Sequence, residues 1–264
     1  MVRWAWRRQA TLEPDTIRVM LILTLTSRTA LVTGASRGIG KAIAMALAEA
    51  GAHVAVNYRR RKDEADATAA AVRQMGRKSA AFGADVSDAR AVAAMVLDIE
   101  TALGPIDILV NNAGIALRHP LEEITEADFD HTIATNLKSA FLCTQAVWPG
   151  MRVRGWGRIV NVSSGAARSA GVFGVHYNAS KAGMEGLTRG YAARLVKYGI
   201  TVNAVAPSLI DTEMMASQRA ESAARIPLGR LGTGEEVAAA VVMVASNAYI
   251  TGQTVPVNGG LHFN

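Results

Sequence analysis

The sequence has few cysteines and few aromatic residues. Cys143 is the single cysteine among 264 residues, so the chain cannot form an internal disulfide, and a reducing, cytoplasmic compartment is expected. Aromatic residues make up 5% of the chain, and they do not alternate with basic residues as they do in proteins that stack nucleotide bases. No nucleic-acid partner is therefore expected.

Long apolar runs and charge of one sign are also scarce. The apolar run Val19–Leu25 is far shorter than the roughly 18 residues of a membrane span, so no membrane partner is expected. Charged residues make up 19% of the chain, and its net charge is +6. Half of the residues are hydrophobic, which excludes a disordered chain. The histidines His53, His119, His131 and His262 lack the spacing of metal ligands, so no metal is expected.

The first 27 residues differ in pattern from the rest. They contain Trp4, Trp6 and four arginines, and no small-residue cleavage site follows their apolar run. We expect residues 1–27 to be an extension outside the fold, with Met20 as an alternative start, and residues 28–264 to form one domain.

Predicted strands and helices alternate from Thr29 onward. The apolar runs predict strands at Thr29–Thr33, His53–Asn57, Ser79–Gly83, Ile106–Asn111, Arg158–Val162, Thr201–Ala206 and Thr254–Asn258. Helical spacing is found at Gly38–Ala50, Glu64–Met75, Ser87–Leu103, Glu126–Trp148, Tyr177–Tyr198 and from Glu235. Apolar strands separated by helices form parallel sheets with right-handed crossovers. The sequence therefore predicts an α/β fold, a doubly wound parallel sheet of seven strands with helices on both faces.

A glycine-rich turn joins the first strand to the first helix. It reads Thr33-Gly34-Ala35-Ser36-Arg37-Gly38-Ile39-Gly40. Glycines here allow a tight turn and close approach to a phosphate, which the free amides of the helix N-terminus would face. The spacing differs from the common dinucleotide fingerprint, so an ordinary glycine turn is the alternative. The turn is not a P-loop, because Ala35 occupies the position of the first glycine of that motif and Ala42 the position of its serine or threonine.

A basic run follows the second strand, where chains that bind NAD usually place an acidic residue. The run reads Asn57-Tyr58-Arg59-Arg60-Arg61-Lys62. Arg59, with Arg37 approaching from the glycine turn, would bind a 2′-phosphate through charge-assisted hydrogen bonds. A bound phosphate would also offset cations at a helix N-terminus, where they oppose the helix dipole. We therefore expect NADP(H), with NAD(H) as the other possibility and a solvated basic run as the alternative.

Tyr177 and Lys181 lie four residues apart in a predicted helix and therefore share one face. An adjacent ammonium stabilises a phenolate, so the pair could exchange a proton with a carbonyl or alcohol oxygen. Ser164 follows a predicted strand at the carboxyl end, where ligands bind in such sheets. An ordinary tyrosine–lysine contact and a loop serine are the alternatives. His176, beside Tyr177, would point away from it, and Cys143 is expected to be a small buried hydrophobe.

These segments together resemble the short-chain dehydrogenase/reductase family. The resemblance runs from Thr33 to Gly260 and includes the glycine turn, Asp85-Val86, Asn111–Gly114, Asn136, Ser164, the Tyr177-to-Lys181 motif and Asn258-Gly259-Gly260. It implies a single-domain Rossmann fold, a nicotinamide cofactor, hydride transfer to or from a small-molecule substrate, and a homotetramer.

The resemblance also implies roles for individual residues. Tyr177 would be the general acid/base, Ser164 would orient the substrate oxygen, Lys181 would bind the nicotinamide ribose and lower the tyrosine pKa, and Asn136 would hold a water. The implied cofactor contacts are Gly34, Ser36, Arg37, Gly38, Ile39, Gly40, Tyr58, Arg59, Asp85, Val86, Asn112, Ala113, Gly114, Tyr177, Lys181, Pro207, Ile210 and Thr212. The chain departs from the family pattern at Ser208, because family members have a glycine after the proline that corresponds to Pro207.

Substrate selection in this family depends on the segment after the sixth strand, here about Ser208–Arg230. Its apolar residues favour a flexible lid over a moderately hydrophobic substrate, and they are Met214, Met215, Ile226 and Leu228. The stretches at 155–161, 226–232 and 258–262 resemble 3-oxoacyl carrier-protein and acetoacetyl-CoA reductases, whereas those at 115–118 and 246–249 depart from them. We therefore expect reduction of a 3-oxoacyl thioester. The alternatives are a sugar, polyol, steroid or other secondary alcohol, or an NADP-binding sensor or scaffold without catalysis.

Overall fold

A computed structural model describes residues 25–212 and 219–263 of the chain. Most of the predicted extension, together with Met214 and Met215, lies outside these ranges. Leu25, within the predicted extension, is fully buried against the core. No helix in the described ranges is long and apolar enough to cross a bilayer.

The centre of the fold is a seven-stranded parallel sheet, as predicted. Its strands are β1 (Thr29–Val32), β2 (His53–Tyr58), β3 (Ser79–Gly83), β4 (Ile106–Asn111), β5 (Gly157–Val162), β6 (Ile200–Pro207) and β7 (Thr254–Val257). They lie in the order β3-β2-β1-β4-β5-β6-β7, with Leu31 paired to Ala55 on one side and to Leu109 on the other. The strand order reverses between β1 and β4, and the carboxyl ends at such a point form a ligand-binding crevice.

Helices cover both faces of the sheet. They are α1 (Gly38–Glu49), α2 (Lys62–Gln74), α3 (Ala89–Leu103), α4 (Glu126–Ile133), α5 (Ser139–Arg154), α6 (Val175–Leu195), α7 (Arg219–Ala224) and α8 (Gly234–Ser246). One apolar core joins the sheet to α1, α2 and α8, and the other joins it to α3, α5 and α6. This three-layer arrangement confirms the predicted Rossmann-like fold.

The helix predicted at Glu126–Trp148 is wrong in two respects. A π-helical turn, Ala134–Lys138, separates α4 from α5, whereas the apolar spacing predicts an uninterrupted α-helix. A π turn adds one residue to the turn while keeping the helix axis, so the apolar residue types continue across it. Helix α5 also continues through Pro149 to Arg154, and Gly155 ends it in the left-handed conformation with φ +66°.

Candidate active site

A cavity of about 560 Å³ opens at the carboxyl ends of β1, β4, β5 and β6. Many predicted site residues line it, namely Gly34, Arg37, Gly38, Ile39, Gly40, Asn112, Gly114, Ser164, Tyr177, Lys181, Pro207, Ile210 and Thr212. Its lining also includes residues that the sequence did not single out, among them Phe173, Ala116 and Leu209. Ser36, Tyr58, Arg59, Asp85, Val86, Ala113 and Asn136 are predicted site residues that lie outside this lining.

The glycine turn needs its glycines for two physical reasons. Gly34 and Gly38 have φ values of +63° and +54°, which side-chain-bearing residues rarely adopt. At Gly40, a Cβ atom would lie 2.5 Å from Asn112 Nδ2 and 2.9 Å from the Cα atom of Ala35. The turn is therefore closed by backbone approach, as a phosphate-binding turn requires.

The N-terminus of α1 faces the cavity without a side-chain cap. Arg37, at the N-cap position, makes no capping hydrogen bond, and the first turn of α1 contains no acidic residue. In contrast, α4 and α8 begin with complete capping boxes, Thr125 with Asp128 and Thr233 with Glu236. First-turn amides that lack side-chain partners are suited to an anion.

Two polar residues support the glycine turn from neighbouring strands. Asn57 is buried at the end of β2, and its Oδ1 accepts a hydrogen bond from the Gly34 amide at 3.1 Å. The Asn112 side-chain amide donates to the carbonyls of Thr33 and Gly34 at 2.9 and 3.2 Å. The supporting role of Asn57 was missed. A buried asparagine at the carboxyl end of an apolar strand is the signal that could have revealed it.

The turn and the cavity together fit a dinucleotide. The glycine-built cradle can admit a pyrophosphate, α1 offers its N-terminus, and the cavity volume lies within the range of small-molecule sites. Lys181 and Tyr177 line the same cavity as the glycine turn.

Tyr177 and Lys181 occupy the first two turns of α6, and Ser164 follows β5. A side-chain hydrogen bond links Ser164 to Tyr177. Lys181 Nζ lies 5.8 Å from the centre of the Tyr177 ring and donates to the Val162 carbonyl at 2.8 Å. The structure therefore brings the three predicted side chains to one wall of the cavity.

Burial alters the proton affinities of this pair. It raises the pKa of Tyr177 above its ordinary value, although the hydrogen bond with Ser164 opposes the shift. The resemblance implies that Lys181 lowers this pKa, and burial acts in the opposite direction. Burial also lowers the pKa of Lys181 to about 8, because an ammonium group is poorly solvated there. The lysine charge is consequently sensitive to pH near neutrality.

Asn136 lies in the π turn and connects it to the loop after β4. Its side-chain amide group exchanges two hydrogen bonds with the Ile115 backbone, at 2.8 and 2.9 Å. Its Nδ2 also donates to Ser180 Oγ at 3.1 Å, and Ser180 Oγ donates to the Tyr177 carbonyl at 2.7 Å. A Cβ atom on Gly114 would lie 3.2 Å from Asn136 Oδ1 and 3.7 Å from Lys181 Nζ. Asn136 therefore lies beside Lys181, and the linking role of Ser180 was missed.

The basic run after β2 lies at the opposite end of the candidate cofactor site. Arg59 is 44% exposed at its side chain and forms an ion pair with Asp85 at 2.9 Å. Burial alone would raise the pKa of Asp85, but hydrogen bonds from Ser87 and the Arg59 charge hold it below its usual value. Asp85 would therefore present a carboxylate beside Arg59.

The unfavourable interaction between the basic residues and the helix dipole at the start of α2 is offset by neighbouring acidic side chains. Arg61 pairs with Glu64 at 2.6 Å, and Lys62 pairs with Asp66 at 2.5 Å. These ion pairs offset the cations without a phosphate, so the helix dipole does not by itself argue for NADP(H).

Two residues that sequence reasoning set aside are buried. Cys143 is fully buried in the core, and burial raises the pKa of its thiol to about 12, which confirms a small buried hydrophobe. His176 is also fully buried, and neither ring nitrogen has a hydrogen-bond partner in the described part of the chain. The described residues contain no cluster of three side chains suited to a metal ion.

Known proteins resemble the chain over most of its length. A family model described as enoyl-(acyl carrier protein) reductase matches residues 34–262. The 3-oxoacyl-[acyl-carrier-protein] reductase FabG of Staphylococcus aureus (strain N315) is 43% identical over 244 residues, or 89% of this chain and 98% of that protein. The acetoacetyl-CoA reductase of Rhizobium meliloti (strain 1021) is also 43% identical over 244 residues, or 90% and 99% of the two chains.

A solved structure shows the same architecture. It is the crystal structure of a protein from Sinorhizobium meliloti 1021 that is provisionally assigned as a short-chain alcohol dehydrogenase. Its TM-score is 0.85 at 39% sequence identity, with 91% of this chain and 98% of that chain covered.

Proposed function

The chain belongs to the short-chain dehydrogenase/reductase family, and we propose that it reduces 3-oxoacyl thioesters with NADP(H). As a member of that family, it is a nicotinamide-dependent oxidoreductase acting on CH–OH and C=O groups of small molecules. The observation that carries the proposal is the meeting of Ser164, Tyr177 and Lys181 with the glycine turn in one cavity.

In the proposed mechanism, Tyr177 moves the proton. The nicotinamide, when bound, supplies or accepts the hydride. Tyr177 Oη donates a proton to the substrate oxygen as that oxygen becomes an alkoxide, and Ser164 Oγ orients the same oxygen. Burial raises the pKa of Tyr177, so the phenol is protonated at neutral pH but is a weaker acid than a free tyrosine, and proton donation depends on a neighbouring charge that stabilises the phenolate.

Lys181 and Asn136 act behind the tyrosine. The charge of Lys181, held by the Val162 carbonyl, stabilises the phenolate that remains after proton transfer. Asn136, fixed by the Ile115 backbone, would hold the water that returns the proton to Lys181. Asn136 and Lys181 are therefore proposed to reprotonate the Tyr177 phenolate after each turnover.

The thioester assignment rests on the two reductases named above and on the apolar residues Ile115, Phe173 and Leu209 in the cavity wall. NADP(H) is proposed because Arg59 stands after β2 with an exposed side chain. A panel of acetoacetyl-CoA, longer 3-oxoacyl thioesters, sugars and secondary alcohols, each with NADPH or NADP⁺ and NADH or NAD⁺, tests both assignments. We expect the highest kcat/KM for a thioester with NADPH. Turnover of sugars or alcohols but of no 3-oxoacyl thioester would contradict the substrate assignment.

The boundary of the catalytic unit is a separate proposal. We propose that residues 28–264 form the domain, that residues 1–27 contribute nothing to catalysis, and that the enzyme is a cytoplasmic homotetramer. A variant that starts at Met20 lacks residues 1–19, retains the buried Leu25, and should keep the kcat/KM and the tetrameric assembly of the full chain. A loss of activity on this truncation would contradict the boundary.

A further inference from the structure

Ser208 stands where the family resemblance implies glycine, directly after β6. Its backbone amide donates to the Val257 carbonyl at 3.0 Å, which fixes the residue beside β7. Its hydroxyl oxygen is shielded from solvent and has no hydrogen-bond partner in the described part of the chain. Among the described residues, the contacts of this side chain are therefore packing contacts.

The atom that Ser208 Oγ faces belongs to Gly165. A Cβ atom built on Gly165 would collide with Ser208 Oγ and would lie 3.3 Å from Ser208 Cβ. Gly165 does not have a left-handed φ value, so its backbone does not require glycine. It is the Ser208 side chain that excludes a side chain from residue 165, and it fills that space itself.

This contact is formed at the wall of the candidate active site. Gly165 directly follows Ser164, and its neighbour Ala166 donates a backbone hydrogen bond to Ser164 Oγ at 3.1 Å. Ser208 lines the main cavity together with Ser164, and it also lines a second cavity of about 280 Å³. The contact between Ser208 and Gly165 therefore lies one residue from Ser164.

We propose that Ser208 is a positioning residue for Ser164. Its side chain supplies, from β6, the volume that residue 165 lacks, and it thereby holds the segment after β5 at the distance at which Ser164 reaches Tyr177. Positions 165 and 208 are complementary: one side chain fits between the two backbones, and either residue can carry it.

The complementarity can be tested with a double-mutant cycle. Ser208→Gly empties the space, and Gly165→Ala overfills it. Each single variant should lower kcat, by about ten-fold for Ser208→Gly and about a hundred-fold for Gly165→Ala, because Ser164 moves away from the reacting oxygen. The change in kcat should exceed any change in the KM for NADPH, because the proposal concerns the position of Ser164. The double variant Gly165→Ala/Ser208→Gly should recover kcat to within about three-fold of wild type.

A matched control separates positioning from stability. At Gly157, at the amino end of β5, a Cβ atom would lie 2.6 Å from Met151 Sδ, far along the strand from Ser164. Gly157→Ala should lower the Tm and leave the kcat of the folded enzyme unchanged, whereas the cycle at 165 and 208 should change kcat.

The outcomes decide the proposal in either direction. An unchanged kcat in Ser208→Gly would overturn it, and so would a double variant as impaired as Gly165→Ala. If Gly165→Ala does not fold, Ser208→Gly and the double variant still give the answer. The assay uses any carbonyl compound that the wild type reduces, so failure of the thioester assignment would leave this test intact.

Discussion

The proton-transfer cluster and the basic segment hold their polar side chains in different ways. The cluster (Asn136, Tyr177, Ser180, Lys181) is formed between the π turn and α6, and its bonds reach the backbone of β5 and of the loop after β4. In the basic segment (residues 59–62), Arg61 and Lys62 form ion pairs with residues three and four positions later in the same segment of chain. Arg59 pairs instead with Asp85, which lies in the loop after β3.

This difference separates chemistry from cofactor choice. Asn136, Ser180 and Lys181 are buried, so the cluster depends on tertiary structure and is little screened by salt. The basic segment is exposed, and its ion pairs are worth little to stability. Substitutions in the cluster should therefore lower kcat strongly, whereas substitutions in the segment should change only cofactor affinity.

The largest expected effect is that of Tyr177→Phe. The variant keeps the ring and removes the proton donor, so kcat should fall about a thousand-fold, as for the loss of a general acid. The dissociation constant for NADPH, measured by fluorescence titration, should remain unchanged. Tyr191→Phe is the control, because Tyr191 lies on the same helix and accepts from Gln145 outside the cavity. Unchanged turnover in Tyr177→Phe would exclude it as the acid.

Lys181→Met should lower kcat by about a hundred-fold and also stabilise the protein at pH 7. Because the pKa of Lys181 is about 8 in the folded chain against an ordinary 10.5, its charged form disfavours folding. Removing that charge should raise the free energy of unfolding by about 3 kcal/mol below pH 8, which is the free-energy equivalent of the difference between the two pKa values.

The stability gain has a defined pH dependence. As the pH rises from 8 to 10.5, the folded wild type has already lost the proton that the unfolded chain still binds, so wild-type stability rises. The difference between Lys181→Met and wild type in urea unfolding should shrink over this interval. A difference that is independent of pH would show that Lys181 is not buried in its charged form.

Arg59→Gln should raise the KM for NADPH about ten-fold, through loss of a charge-assisted hydrogen bond to the 2′-phosphate. The KM for NADH should stay the same, and kcat should not change. An equal change in the KM of both cofactors would mean that Arg59 acts through Asp85 and not on the phosphate.

The smallest expected effect is that of Arg61→Gln, the matched variant in the same segment. Arg61 is paired with Glu64 at the start of α2, so we expect less than a two-fold change in the KM for NADPH. The free energy of unfolding should change by less than about 0.5 kcal/mol. A change in KM as large as that of Arg59→Gln would mean that the 2′-phosphate is bound by the whole basic segment and not by Arg59 in particular.

The sequence was informative where a local pattern determines structure. The strands at β3 and β4 have the predicted bounds, because each is a short apolar run between polar or glycine residues. Every residue of β4 is buried, as expected for a strand covered on both faces of the sheet. Tyr177 and Lys181 were found together because four residues correspond to one helical turn.

The sequence does not predict contacts between distant segments in the same way. The pair of Arg59 with Asp85 joins residues 26 positions apart, and the contact of Ser208 with Gly165 joins two loops. The apolar spacing predicts a regular helix at Asn136, because nothing in the neighbouring residues marks a π turn. Such contacts depend on how the strands are ordered, and residue spacing alone does not give that order.

The π turn makes the length of the segment before α5 as important as its composition. A π turn fits one residue more than an α turn into the same stretch of helix, so α4 and α5 keep the relative facing of one continuous helix while residues 134–138 bulge. Deleting one residue from 134–138 would restore a regular hydrogen-bond ladder and leave α4 and α5 in phase. It would also remove the bulge from which the Asn136 side chain reaches the Ile115 backbone and Ser180. The extra residue of this segment therefore serves the position of Asn136, and the packing of the two helices does not need it.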